Sequence, residues 1–212
     1  MKDIPLFTSE YGAASLTLCQ IPYRKEAYIR IQSSRQPLRL VAECISFCRA
    51  CGAEKIYATG DSELESFPFH TSIVQMSCQR AALPDTDAAL WPVQAETLSR
   101  WREIYNERMG SVANAAYMTE GDGEAMLCSG DGYFVHRETV LLGIGRASGE
   151  RMDAVVSCQK GAGEDVVLAL AHATASERII LEVSSVNHRA VALYKRLQFI
   201  PTAEISRWYQ VF

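Results

Sequence analysis

The chain has 212 residues, 48% hydrophobic and 22% charged, with a formal net charge of −4 at pH 7 and a pI near 5.6. This composition excludes disordered, collagenous and disulfide-scaffold classes, and the length allows one domain or two small ones with a self-supporting core. No apolar run reaches the ~18–20 residues of a membrane helix, the opening MKDIPLFTSE lacks a leader pattern, and no basic stripe marks a nucleic-acid binder. A cytoplasmic location is therefore expected, and the seven cysteines read as reduced, mostly buried thiols.

In chain order, SLTLCQI and AYIRIQ alternate apolar and polar residues and predict short strands. A helix is expected from about Leu38 to Cys51, with Pro37 in its first turn and Gly52 as its stop. Leu38, Val41, Cys44, Ile45, Cys48 and Cys51 recur along it at helical spacings. KIYAT and TSIVQMS read as further strands. RAALPDTDAALWPVQ carries two prolines and two aspartates and reads as a linker, dividing the chain into residues 1–82 and 83–212.

Beyond it, AETLSRWREIYNERM is amphipathic, with Leu98, Trp101 and Tyr105 on one face. YFVHRE, TVLLGIGRA and MDAVVS are strand candidates, and CQKGAGED leads into the helix EDVVLALAHAT. RIILEVS, NHRAVALYKRL and AEISRWYQVF follow as strand, helix and closing strand. Such alternation predicts an α/β fold, a mixed twisted sheet flanked by helices. LRLVAECISFCRACGAEKIYATG and EDVVLALAHATASERIILEVS share the order helix, charged turn, buried strand. Residues 1–82 thus read either as a degenerate second copy of the C-terminal unit or as an extension packed against it.

The chemistry concentrates between Asp153 and Phe199. The strand DAVVS enters a loop with Gly161 and Gly163 and leaves as a helix near Glu164. Glycine lets backbone N–H groups approach a phosphate, and the first N–H groups of the helix lack internal partners at its positive end. After the apolar strand come Asn187, Ala190, Leu193, Tyr194, Leu197 and Phe199, an Asn-x-x-Ala-x-x-Leu-Tyr-x-x-Leu-x-Phe run.

This combination resembles the GNAT family of acetyl-CoA-dependent N-acetyltransferases over about the last 120 residues. The resemblance implies that Val155, Val156 and Ser157 lie along the pantetheine arm of acetyl-CoA. It also implies that the N–H groups of Lys160, Gly161, Ala162, Gly163 and Glu164 receive the pyrophosphate, and that Asn187 bonds the arm or the phosphate from the side. Tyr194 would protonate the departing thiolate, a role suited to a phenol. Glu182, twelve residues before Tyr194, is the expected base, with water as the alternative and Glu138 and Asp153 as fallbacks. The implied reaction is direct transfer of acetyl to a primary amine in a ternary complex, without a metal.

Two positions depart from the family pattern: Cys158 stands where a Gln or Arg usually begins the loop, and Gln198 where a glycine usually precedes the final Phe. The first leaves open a catalytically silent, CoA-binding regulatory module. Cys44, Cys48 and Cys51 have iron–sulfur spacing, but their place on the apolar side of a helix favours packing, and His70 would be a zinc ligand without motif support. His136, His172 and His188 are isolated, and Trp91, Trp101 and Trp208 are read as packing residues. The final SRWYQVF offers a strand for pairing across a homodimer.

Overall fold

The computed structural model describes residues 1–212 and divides them between two units: Met1–Ile73 with Ile205–Phe212, and Val74–Glu204. In the first, β1 (Ile4–Ser9), β2 (Gly12–Thr17) and β3 (Glu26–Ser34) form an antiparallel meander, with the four-residue helix α1 (Ile21–Arg24) before β3. Helix α2 (Pro37–Ala50) then leads to β4 (Lys55–Thr59), which pairs in parallel with β3 over five residues, Glu26↔Lys55 through Arg30↔Thr59. Pro37 occupies the first turn of α2, where its missing N–H costs nothing. Gly52 follows the helix at φ +95°, a conformation that favours glycine.

Leu40, Val41, Cys44 and Cys48 of α2 pack on Ala27, Ile29 and Ile31 of β3 and on Ile56 and Ala58 of β4. Leu38 points outward, 44% exposed, so Pro37 rather than Leu38 opens the buried stripe. The opposite face of β3 and β4 is also closed. Tyr28, Tyr57 and Trp208 cluster there, and Glu26 accepts from the Tyr28 hydroxyl at 2.7 Å and from Arg24 at 2.9 Å.

The closing strand completes this unit: Tyr209 pairs with Ala58 and Gln210 with Tyr57, while the Gln210 N–H reaches the Pro68 carbonyl at 2.9 Å on the other side. SRWYQVF therefore presents no free edge, which removes the expected route to a dimer.

The second unit takes the end of β5 (Phe69–Gln79), then β6 (Ala89–Pro92), α3 (Leu98–Met109), α4 (Glu120–Ser129), β7 (Gly132–Arg137), β8 (Val140–Ser148) and β9 (Arg151–Ser157). It continues with α5 (Gly163–Ala173), β10 (Arg178–Ser184), α6 (His188–Arg196) and the start of β11 (Ile200–Gln210). Its strand order is β11-β5-β10-β9-β8-β7-β6. β6 to β9 form an antiparallel run, and β10 is parallel to β9, which makes the sheet mixed, as expected.

Helix α5 buries Val166 through Ala171 without interruption. It packs against the glycines of β8: a Cβ on Gly145 would lie 2.3 Å from Leu170, and one on Gly143 would lie 2.6 Å from Val166 and 2.2 Å from the Val156 carbonyl oxygen. A second cluster joins Leu98, Trp101, Ile104 and Tyr105 of α3 to Met126, Phe134, Ile144 and Val156.

Several elements differ from the sequence expectation. The linker-like stretch contains β6, paired with β7 from Ala89↔His136 to Pro92↔Tyr133; this is an edge strand, where proline is tolerated. Helix α4 has two internal glycines and little amphipathic pattern, and it is held by its ends, through a Thr119–Asp122 capping box and a left-handed Gly130. β1 was not anticipated, and the predicted SLTLCQI strand ends at Thr17 because Leu18–Arg24 turns into α1. No helix is long and apolar enough to cross a membrane.

Candidate functional site

The site begins with an irregularity in β9. Arg146 pairs with Asp153 and Ile144 with Val156, so Gly145 faces two residues, Ala154 and Val155. Ala154 has φ +53°, a strained conformation for a residue with a Cβ, and the bulge bends the strand. Parallel pairing with β10 is confined to Ile180↔Arg151 and Leu181↔Met152, ending two residues before the bulge. β10 nevertheless continues to Ser184.

A groove of about 300 Å³ opens here, lined by Val155, Val156 and Ser157 of β9, Gly163 of α5 and Asn187, Arg189, Ala190, Leu193 and Tyr194 of α6. Arg108, Met109 and Val112 line it from the end of α3 and the residues beyond.

At the loop, Gly161 adopts φ +91° with open space where a Cβ would stand. The Ser157 hydroxyl donates to the Gln159 carbonyl at 2.6 Å, which pins the turn. The Ala162 N–H is engaged with the same carbonyl at 3.3 Å. Gly163 and Glu164 open α5, so their N–H groups have no acceptor within the helix. A Cβ on Gly163 would meet Leu193 at 3.1 Å, so glycine lets α6 come close. The acids of this first turn are tied back, Glu164 to Arg196 at 3.1 Å and Asp165 to Arg137 at 2.8 Å. Cys158 packs at the margin of the α3 cluster, and burial pushes its thiol up, which fits a packing role rather than a polar anchor.

Asn187 caps α6: its side-chain oxygen accepts from the Ala190 N–H at 3.2 Å. Tyr194 follows two turns later on the groove face. It is 7% exposed, lies 5.7 Å from the Phe199 ring, and burial pushes its phenol up to about 12.

Glu182 lies elsewhere, exposed and ion-paired with Arg151 at 2.8 Å, and the groove lining holds no carboxylate. Glu138 sits in the β7–β8 turn and Asp153 lies 3.9 Å from Arg151. The structure thus brings together Val155, Val156, Ser157, Gly163, Asn187 and Tyr194. Lys160, Gly161 and Ala162 form the adjoining turn, and Glu182 stands apart.

Ala154, Arg108, Met109, Val112, Arg189 and Leu193 were not anticipated. Leu193 and Arg189 share a helix with Asn187 and Tyr194, and that periodicity was the available signal. No local pattern marks Ala154 as the bulge or carries α3 to the groove.

Cys44 and Cys48 are buried with thiols pushed up to about 12, and no group of three or more His, Cys, Asp or Glu side chains is arranged to hold a metal. His70 stacks on Tyr57 at 3.9 Å. Trp101 is fully buried and its indole N–H donates to the Tyr133 carbonyl at 2.9 Å, Trp208 is buried, and Trp91 is 56% exposed.

No protein-family model matches this sequence, and no curated protein matches it. Solved structures do resemble its fold. A functionally unknown protein from Staphylococcus epidermidis matches with a TM-score of 0.61 at 10% identity, over 96% of this chain and 91% of that one. A GNAT-family acetyltransferase from Colwellia psychrerythraea gives 0.51 at 13% identity, over 97% and 83%. A GCN5-related N-acetyltransferase from Kribbella flavida gives 0.58 at 11% identity, over 96% of this chain and 58% of that one. These likenesses extend over nearly the whole of this chain, and they show that it has the GNAT fold.

Proposed function

We propose that this chain is an N-acetyltransferase that transfers acetyl directly from acetyl-CoA to a primary amine. The observation that carries the reading is the groove between β9 and α6, with Tyr194 in its wall and the N-terminus of α5 beside it. The residues present fit such a thioester. Val155, Val156 and Ser157 offer strand edge to its amide-bearing arm, as an added strand would pair. The N–H groups of Lys160, Gly161, Gly163 and Glu164 are placed for the diphosphate, and the Asn187 amide is left with its N–H₂ group after capping α6.

When the amine attacks the thioester carbonyl, a C–N bond forms and the C–S bond breaks. Tyr194 delivers its phenolic proton to the leaving thiolate, and the proton that the attacking nitrogen sheds as the amide forms returns through water to restore the phenol. Its buried phenol stays protonated across the physiological range, so it is always loaded as an acid. The acceptor ammonium gives up its proton beforehand. Since no carboxylate lines the groove, water takes that proton in preference to Glu182. No thiol lines the groove either, in keeping with transfer that does not pass through an acylated cysteine. Positioning and backbone hydrogen bonds supply the rest of the rate enhancement. The first unit, with the same meander–helix–strand frame, is read as a degenerate counterpart.

The test is melting temperature with and without acetyl-CoA, followed by acetyl transfer to an amine panel. A ligand at ~100 times its Kd adds about 2.7 kcal/mol, roughly 5–11 °C at this size. A shift that shrinks in Asn187→Ala, with turnover that collapses in Tyr194→Phe, supports the enzyme. A shift without turnover on any amine supports the silent binding module, which the half-buried Cys158 in place of a polar anchor favours. No shift at millimolar acetyl-CoA rejects both.

A further inference from the structure

The arginines of the second unit divide sharply by partner. Arg80 donates to the Thr174 carbonyl, and six others are paired with carboxylates. Only Arg108, Arg178 and Arg189 among residues 74–204 make no such contact, and Arg108 and Arg189 both line the groove. Each is exposed, so neither is fixed by packing. Between them the wall is largely apolar: Met109, Val112, Val155, Ala190 and Leu193.

Charge points the same way. The whole chain carries −4, yet the only formally charged side chains lining the groove are these two cations. The acids nearest the loop, Glu164 and Asp165, are neutralised by Arg196 and Arg137. Arg108 shares the groove lining with Ser157 and Gly163, the residues that flank the loop on either side. One free guanidinium therefore sits beside the loop at the position where the side chain itself is neutral.

We infer that Arg108, from α3, and Arg189, from α6, form a clamp for the phosphate groups of the groove ligand, with Arg108 serving the diphosphate at the glycine loop. The forked guanidinium N–H groups match phosphate oxygens. The clamp closes the groove from two helices and replaces the side-chain anchor that Cys158 does not provide. Identification of that ligand as a coenzyme A thioester rests on the function proposed above; the anion clamp itself rests on the two arginines of the groove that have no carboxylate partner.

The experiment measures binding of inorganic pyrophosphate, CoA and phosphate-free pantetheine to wild type, Arg108→Gln, Arg108→Lys and Arg189→Gln, with Arg178→Gln as the unpaired control. Both glutamine variants are expected to weaken pyrophosphate and CoA by about 10-fold or more, to leave pantetheine unchanged, and to keep the unliganded melting temperature. Arg108→Lys should fall between, retaining charge without the fork, and Arg178→Gln should match wild type. Unchanged CoA and pyrophosphate affinity in both variants, or equal loss for pantetheine, overturns the clamp. Variants that spare CoA but raise KM for carboxylate-bearing amines also overturn it, moving the arginines to the acceptor. Wild type that binds pyrophosphate through these arginines but not CoA upholds the clamp and rejects the acetyltransferase reading. Wild type that binds CoA without their help does the reverse.

Discussion

The two units build the same corner in two ways. In each, a three-stranded meander feeds a helix that returns as a strand parallel to the third. In each, that parallel pairing stops two residues short of a bulge, at Arg30 before the extra residue Gln32 and at Met152 before Ala154. The difference is where the bulge falls. In β3 it comes late, so five residue pairs form and the strands stay zipped. In β9 it comes early, only two pairs form, and the strands part.

The surroundings follow suit. The first unit enters α2 through Gln36 and Pro37, without glycine, and places a 3₁₀ turn, Ser62–Ser66, after β4. The second enters α5 through Gly161 and places α6, with Asn187 and Tyr194, after β10. A shift in bulge position therefore separates a closed, aromatic-faced corner from one that can admit a ligand.

Several substitutions break or sharpen this contrast. The largest effect is expected from Gly143→Ala, whose Cβ would lie 2.2 Å from the Val156 carbonyl oxygen; overpacking here should cost about 3 kcal/mol, read as a lower urea midpoint. Tyr194→Phe should lower kcat by about 100-fold or more, while acetyl-CoA binding and stability stay close to wild type. Glu26→Gln should act in the opposite sense. Its carboxylate and Arg24 are 11% and 12% exposed, so stability should fall by about 2–3 kcal/mol, with kcat unchanged.

Alkaline pH should also weigh on the first unit. Burial pushes the thiols of Cys44 and Cys48 from 9.0 to about 12, and raises the phenols of Tyr28 and Tyr57. The unfolded chain releases these protons near their ordinary values while the folded chain holds them. Their contribution is therefore full below about pH 9 and is lost as pH rises toward 12. The urea midpoint should decline through that window, and less steeply in a Cys44→Ala, Cys48→Ala double variant. The smallest effect is expected from Ala154→Gly, which relieves the φ of +53°; melting temperature should rise by a few degrees or less, for up to about 1 kcal/mol.

Much of this was legible from periodicity. Helices α2, α3, α5 and α6 and most strands carry strong apolar spacing, and the run from Asn187 to Phe199 located the helix that bears the phenol. The groove itself was less legible, because it depends on where pairing stops. Ala154 holds a left-handed conformation without being glycine, so tertiary structure imposes what composition would not propose. Glu182 fitted by spacing alone, yet Arg151, on the neighbouring strand, holds its carboxylate. Helix α4 escaped because end-capping sustains it, and β6 because prolines that usually mark a linker are also admissible at a sheet edge.

The late closing strand of the first unit has a consequence for synthesis. Tyr209 and Gln210 pair with Ala58 and Tyr57, so the unit made first on the ribosome lacks a strand until nearly all of the chain has been made. Its apolar surface must wait through translation of the second unit. The N-terminal half should thus close last, by slow, long-range pairing.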